Sequence, residues 1–92
     1  PELLWVMLDG QRLFNRLGEE LLVLAGGEDA CDTKDVTGRA LDASRRARLA
    51  ADLELWFERY RVQWLSIGRY AELARIAHVV WSFADILRRG AL

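Results

Sequence analysis

The sequence predicts an all-α fold in which three long antiparallel helices form an up-down-up bundle. Three segments carry apolar residues at spacings of three and four, the period of a helix that buries one face. A single proline and few β-branched residues favour helix over sheet. We expect one helical domain over residues 1–92, with helices at about 2–25, 41–65 and 68–89 and a polar loop at 26–40.

The first helix is predicted from an apolar stripe that ends before Gly26 and Gly27, residues typical of a helix C-terminus. The stripe consists of Leu3, Met7, Gly10, Phe14, Leu17, Leu21 and Leu24. The first turns differ, because the residues from Leu3 to Leu8 are all apolar and cover every side of the helix. A helix that is apolar all round is normally covered all round, so we expect a partner from outside the bundle.

Charged residues of the first helix lie away from this stripe. Asp9 with Arg12, and Arg16 with Glu20, place opposite charges three or four residues apart. Such pairs stabilise a helix by about a few tenths of a kcal/mol each. We therefore expect this face of the helix to lie in solvent and the pairs to form within the helix.

The second helix is predicted from a largely aromatic stripe. Its members are Leu49, Leu53, Trp56, Phe57, Tyr60 and Trp64. Thr37, Asp42 and Ser44 are competing N-cap residues, which leaves the start of the helix open among them.

The third helix is predicted from apolar residues that exceed what one buried face requires. The stripe is Tyr70, Leu73, Ala74, Ala77, Val80, Trp81, Ala84 and Leu87. Further apolar residues beyond the stripe are Ile76, Val79, Phe83 and Ile86. As in the first helix, the excess indicates a surface that another protein covers.

Composition excludes several classes of function. Thirteen Lys plus Arg against fourteen Asp plus Glu give a net charge of −1, whereas nucleic-acid binding normally requires a basic excess. No apolar run approaches the roughly 20 residues of a membrane span. Cys31 is the one cysteine, which excludes an internal disulfide and a cysteine-based zinc cluster. We expect neither nucleic acid nor membrane as a partner.

No set of residues predicts catalysis. His78 is the one histidine and has no neighbour in sequence that would make it a base or a metal ligand. Glu54 and Glu58 share a helix face, but paired carboxylates near Arg61 are more typical of a solvated surface than of a glycosidase site. The acidic segment 28–35 lacks the spacing of a calcium loop. We expect no catalytic, cofactor-binding or metal-binding residues.

The segment from Leu55 to Leu65 combines aromatic residues and arginines before a tight turn. Arginine can pair with a carboxylate and can stack on an aromatic ring, so the segment predicts either a packed helix end or a docking surface. The residues expected at an interface are Leu4, Trp5, Leu8, Trp56, Arg59, Arg61, Trp64, Val79 and Phe83.

The same segment resembles the C-terminal helical region that follows the catalytic barrel in bacterial family 20 glycoside hydrolases, the β-N-acetylhexosaminidases. Leu55, Trp56, Arg59, Arg61 and Leu65 match the pattern Leu-Trp-x-x-Arg-x-Arg-Pro-Gly-Gly-Leu of that family. Val62 stands where the family has Pro, and Gln63-Trp64 where it has Gly-Gly. The catalytic Asp-Glu pair of the family lies in its barrel, so the resemblance transfers no catalytic residue to this chain.

The resemblance implies a non-catalytic accessory domain of a bacterial β-N-acetylhexosaminidase-like hydrolase, which packs against the catalytic barrel or a second subunit. The alternative is a free-standing helical module that dimerises through its apolar faces. The arginine-rich composition is typical of a GC-rich bacterial genome. The chain opens on Pro1, and we expect it to be a fragment of a longer protein. The sequence leaves its compartment open, with the cytoplasm favoured.

Overall fold

A computed structural model describes residues 2–26, 36–66 and 68–92 of the chain. The predicted all-α fold is confirmed, since the described residues form three helices and no strand. These helices are α1 (Glu2–Ala25), α2 (Val36–Leu65) and α3 (Tyr70–Arg89).

Two helices begin at positions other than those expected. α2 begins at Val36, so the three candidate N-cap residues all lie inside the helix. A residue acts as an N-cap only where the backbone before the helix is not helical. Arg39 and Ala40, between the candidates, favour helical backbone and allow the helix to begin earlier. α3 begins at Tyr70 because Gly68 adopts a left-handed φ of 75° in the turn before it. Residues 27–35 of the expected polar loop lie outside the described residues.

α2 is the central helix of the fold. Among the described residues, α1 and α3 each pack against α2 and make little contact with each other. The molecule is elongated, with principal extents of 49 × 23 × 16 Å.

Contacts between neighbouring helices show that they run in opposite directions. Glu20, late in α1, pairs with Arg45, early in α2, at 2.8 Å. Asp9, early in α1, pairs with Arg59, late in α2, at 3.6 Å. α1 and α2 are therefore antiparallel.

α2 and α3 are also antiparallel. Arg46, early in α2, donates a 3.2 Å hydrogen bond from Nε to the carbonyl oxygen of Leu87 near the end of α3. Arg69, just before α3, lies over the indole of Trp64 near the end of α2, with its Cζ 5.3 Å from the ring centroid.

One apolar core joins the three helices, and no charged side chain in the described part of the chain is buried. The buried residues are Val6, Leu13, Leu17, Leu49, Ala50, Leu53, Trp56, Phe57, Tyr60, Leu73, Val80, Ala84 and Leu87. The stripe predicted for α2 is almost fully buried, and only Trp64 is half-buried.

α1 is rotated from the orientation that its sequence predicts. Met7, a member of the predicted stripe, is exposed, whereas Val6 and Leu13 are buried. The cause is tertiary, because α2 is the main neighbour of α1 and its Trp56 side chain packs against Gly10.

α3 buries the face that its sequence predicts. Its four buried residues all belong to the predicted stripe: Leu73, Val80, Ala84 and Leu87. The edges of the stripe differ, because Tyr70 and Trp81 are 64% and 49% exposed. Ile76 and Phe83, which lie beyond the stripe, pack against the core instead.

Candidate protein-association surface

Trp56 joins α2 to α1 through a close contact with Gly10. Its indole Nε1 donates a 2.7 Å hydrogen bond to the backbone carbonyl oxygen of Val6. A Cβ atom at residue 10 would lie 2.5 Å from Cζ2 of Trp56, a severe overlap. Phe14 packs edge-on against the same indole, with ring centroids 5.5 Å apart. Glycine at position 10 therefore allows the two helices to approach closely here.

An apolar groove of about 500 Å³ lies beside this contact, between α1 and α2. Its lining residues are Leu4, Met7, Leu8, Gly10, Gln11, Phe14, Trp56 and Tyr60. None of them is charged, and most of them are apolar. The groove suits the apolar side chains of another helix.

A row of aromatic rings lies beside the groove. Tyr60 packs against Trp56 with centroids 5.0 Å apart and against Trp64 at 5.4 Å. Arg69 lies over Trp64 as a cation–π contact.

Tyr60 is a packing residue in this row of aromatic rings. Burial raises the pKa of its hydroxyl, and the negative charge of Glu72 raises it further, against the opposing effects of Trp64 and Arg69. The buried Trp64 Nε1–H lies close enough to influence that hydroxyl but has no partner in hydrogen-bond geometry. A tyrosine held in its neutral form does not serve as a base at neutral pH.

The exposed surface of α1 carries a second regular stripe, which we call the outer stripe and whose first three members also line the groove. It consists of Leu4, Leu8, Gln11, Asn15, Gly18, Leu22 and Ala25. Every member is exposed and none is charged; Leu4 and Leu22 are 61% and 75% exposed. The spacing alternates between four and three, as in the a and d positions of a heptad repeat.

A smaller apolar groove of about 400 Å³ lies between α2 and α3. Its lining residues are Phe57, Arg61, Leu65, Tyr70, Leu73, Ala74 and Ala77. Arg61 places a charge at this groove, and no heptad pattern continues from it. The α1 surface is therefore the stronger candidate for a protein contact.

The structure brings some of the expected interface residues together. Leu4, Leu8 and Trp56 line the same groove, although Trp56 is only 7% exposed and contributes mainly to the core. Trp5 is 64% exposed on α1. Leu4, Leu8 and Trp56 therefore lie at the junction of α1 and α2.

The other expected interface residues already have contacts within the chain. Arg59 pairs with Asp9, and Arg61 pairs with Glu58 at 3.0 Å. Trp64, Val79 and Phe83 are half-buried, and both Trp64 and Phe83 pack against the core.

Sequence reasoning missed most of the outer stripe, including Gln11, Asn15, Gly18 and Leu22. The residues of the outer stripe do recur at spacings of three and four, as a helix face requires. The overlapping stripe through Met7 and Phe14 obscured it, because both sets satisfy the same helical period.

The described residues contain no group of three or more His, Cys, Asp or Glu side chains that could hold a metal ion. Glu54 and Glu58 are each paired with an arginine, Arg88 and Arg61 respectively. His78 is exposed on α3. Cys31 and the acidic segment around it lie outside the described residues. No described helix is both long and apolar enough to span a membrane.

No family model matches the chain, and no curated protein or solved structure is significantly similar to it.

Proposed function

We propose that the chain is a non-catalytic helical module that binds another protein through α1. The observation that carries this proposal is the cluster of apolar residues exposed in the first turns of α1: Leu4, Trp5, Met7 and Leu8. Single exposed apolar residues are ordinary, but a contiguous cluster on one helix is typical of an interaction site.

The groove between α1 and α2 extends this cluster. Its apolar lining and the a/d spacing of the outer stripe favour a helical partner that presents leucine-like side chains every three or four residues. The Trp56–Gly10 contact supports the proposal because it holds α1 in place, which lowers the entropy cost of binding.

Site-specific photocross-linking in the organism that carries the protein tests the proposal. The photoreactive residue p-benzoylphenylalanine is placed at position 8 of the full protein, in the exposed apolar cluster, and separately at position 48, an exposed site on α2. After irradiation, cross-linked species are separated by mass and identified by mass spectrometry.

We expect a defined cross-linked protein from position 8 and none above background from position 48. Equal cross-linking at both positions, or none at position 8, would contradict an association role for α1.

The second candidate, suggested by the Leu55-to-Leu65 pattern, is an accessory role in a β-N-acetylhexosaminidase-like hydrolase. It predicts that the coding sequence upstream of Pro1 encodes a (β/α)-patterned region with an adjacent Asp-Glu pair. A start codon just upstream would contradict it. In either case we expect no turnover of a chromogenic N-acetylglucosaminide by the 92-residue chain itself.

A further inference from the structure

We propose that the partner of α1 is a second copy of this chain, bound by antiparallel packing of one outer stripe against the other. This inference rests on the proposed association role and names the partner. A two-fold interface must be complementary to itself, since the same surface patch is used by both copies. The outer stripe and its flanks meet this requirement in one orientation.

The stripe forms a heptad seam of three repeats. Its a positions are Leu8, Asn15 and Leu22, and its d positions are Leu4, Gln11, Gly18 and Ala25. In an antiparallel pair centred between Asn15 and Gly18, Leu8 of one copy faces Ala25 of the other, and Leu22 faces Gln11. The Asn15 amide of one copy faces Gly18 of the other, where the missing side chain leaves room for it. A single polar a position flanked by leucines is a known device for setting the register of paired helices.

The flanks of the stripe carry matched charges. Trp5, Arg12 and Glu19 recur every seven residues on one flank, at the e positions. Antiparallel packing places e positions of the two copies side by side, so Arg12 of each copy meets Glu19 of the other. Arg12 is 60% exposed, its Asp9 partner lies at 4.0 Å, and Glu19 is exposed. Both side chains can therefore reach across the seam.

The opposite flank is apolar. Met7, Phe14 and Leu21 recur every seven residues at the g positions. Antiparallel packing pairs these apolar positions with each other, whereas parallel packing would place them against Arg12 and Glu19. The distribution of charge therefore favours the antiparallel arrangement.

Gly18 has no explanation within a single chain. A Cβ atom there would meet nothing within 4 Å, and glycine inside a helix is unfavourable relative to alanine. A second helix passing close to this point would give the glycine a packing role.

Sedimentation equilibrium of the purified chain tests the proposal, with two charge-reversed variants, Arg12→Glu and Glu19→Arg. The unmodified chain is expected to show a concentration-dependent monomer–dimer equilibrium. Each variant alone places like charges at both contacts and is expected to dimerise at least about tenfold more weakly. An equimolar mixture of the two variants restores opposite charges at both contacts and is expected to recover dimerisation.

Leu8→Glu and Val62→Glu provide a pair of apolar-to-charged substitutions at exposed sites, 49% and 58% exposed respectively. Leu8→Glu would bury a carboxylate in the seam and is expected to weaken dimerisation at least about tenfold. Val62→Glu on α2 is expected to leave it unchanged. Circular dichroism confirms that each variant keeps its helix content.

A monomeric chain at all concentrations would overturn this inference. So would equal weakening by Leu8→Glu and Val62→Glu, or a mixture of the charge variants that stays monomeric. If the chain is monomeric while position 8 cross-links to a different protein, this inference fails and the association role stands. If position 8 also yields no cross-link, both fail.

Discussion

Two glycines of α1 have different surroundings and should respond differently to the same substitution. Gly10 lies against the indole of Trp56, whose orientation is held by its hydrogen bond to Val6. Gly18 lies in open space within the single chain. The same added methyl group therefore produces an overlap at one position and a gain in helix propensity at the other.

Gly10→Ala should lower the free energy of unfolding by about 1–3 kcal/mol, because the ring cannot move away without losing its hydrogen bond. Gly18→Ala should raise it by about 0.5–1 kcal/mol in the monomer. Urea unfolding of dilute samples measures both. A neutral Gly10→Ala variant would show that the helices do not approach closely at this point.

Glu54 and Arg88 form a two-point ion pair between α2 and α3. The hydrogen bonds from Arg88 lower the pKa of the Glu54 carboxyl below its ordinary value of 4.5, and burial opposes this only in part. A carboxyl whose pKa is lower in the folded state stabilises the fold above its unfolded pKa. That contribution is lost as the pH falls through the folded value.

Glu54→Gln should therefore lower the free energy of unfolding at neutral pH by up to about 1 kcal/mol, the range of partly exposed pairs. The difference from the unmodified chain should shrink as the pH falls below about 4. Glu58→Gln, which removes an ion pair within α2, is the control and should cost less. A Glu54→Gln effect that stays constant down to low pH would contradict this account.

Two charged residues of α1 contact α2 in the folded chain. Arg16 and Glu20 are one turn apart, and the sequence predicts a pair within the helix. In the folded chain both reach α2, where Arg16 approaches Asp52 at 3.9 Å and Glu20 pairs with Arg45 at 2.8 Å. Sequence spacing identifies neighbours within a helix, but it does not show which neighbouring helix competes for them.

Among the helices, the end of α3 depends on another element. Gly90 adopts a left-handed φ of 70°, and its N–H donates a 2.9 Å hydrogen bond to the carbonyl oxygen of Ile86. Arg46 from α2 then satisfies the carbonyl oxygen of Leu87. The helix end and the packing of α2 are thus coupled.

Arg46→Ala should lower the free energy of unfolding by about 1 kcal/mol, because the Leu87 carbonyl loses its donor at a partly buried site. Arg48→Ala, at an exposed position in the same helix, should change it by less than about 0.5 kcal/mol. Thermal or urea unfolding of the two variants makes the comparison. Equal effects would show that the Arg46 contact does not stabilise the end of α3.

In the whole molecule, the central position of α2 determines which helix is most stable against local unfolding. α2 packs against both other helices, whereas α1 packs mainly against α2. The outer stripe of α1 is exposed in the single chain. Local opening is easiest where few buried contacts must be broken.

Backbone amides of α2 between Leu49 and Tyr60 should therefore exchange hydrogen most slowly, and amides in the first turns of α1 faster. Raising the protein concentration should slow exchange in α1 selectively, because the second copy protects it. Hydrogen exchange read by mass spectrometry gives both results. Uniform protection of the three helices would contradict the central role of α2 in the fold. Exchange in α1 that is independent of concentration would contradict dimerisation through α1.

Sequence periodicity is enough to predict three long helices, the buried stripe along α2 from Leu49 to Tyr60 and the buried face of α3. Periodicity is a local property, and it is unambiguous where one face is apolar and the rest is polar. The side of α1 that is buried depends on tertiary contacts, because apolar residues extend beyond one face of this helix. The Trp56–Gly10 contact chose the buried side of α1 and so left Leu4, Leu8 and Leu22 exposed as the outer stripe.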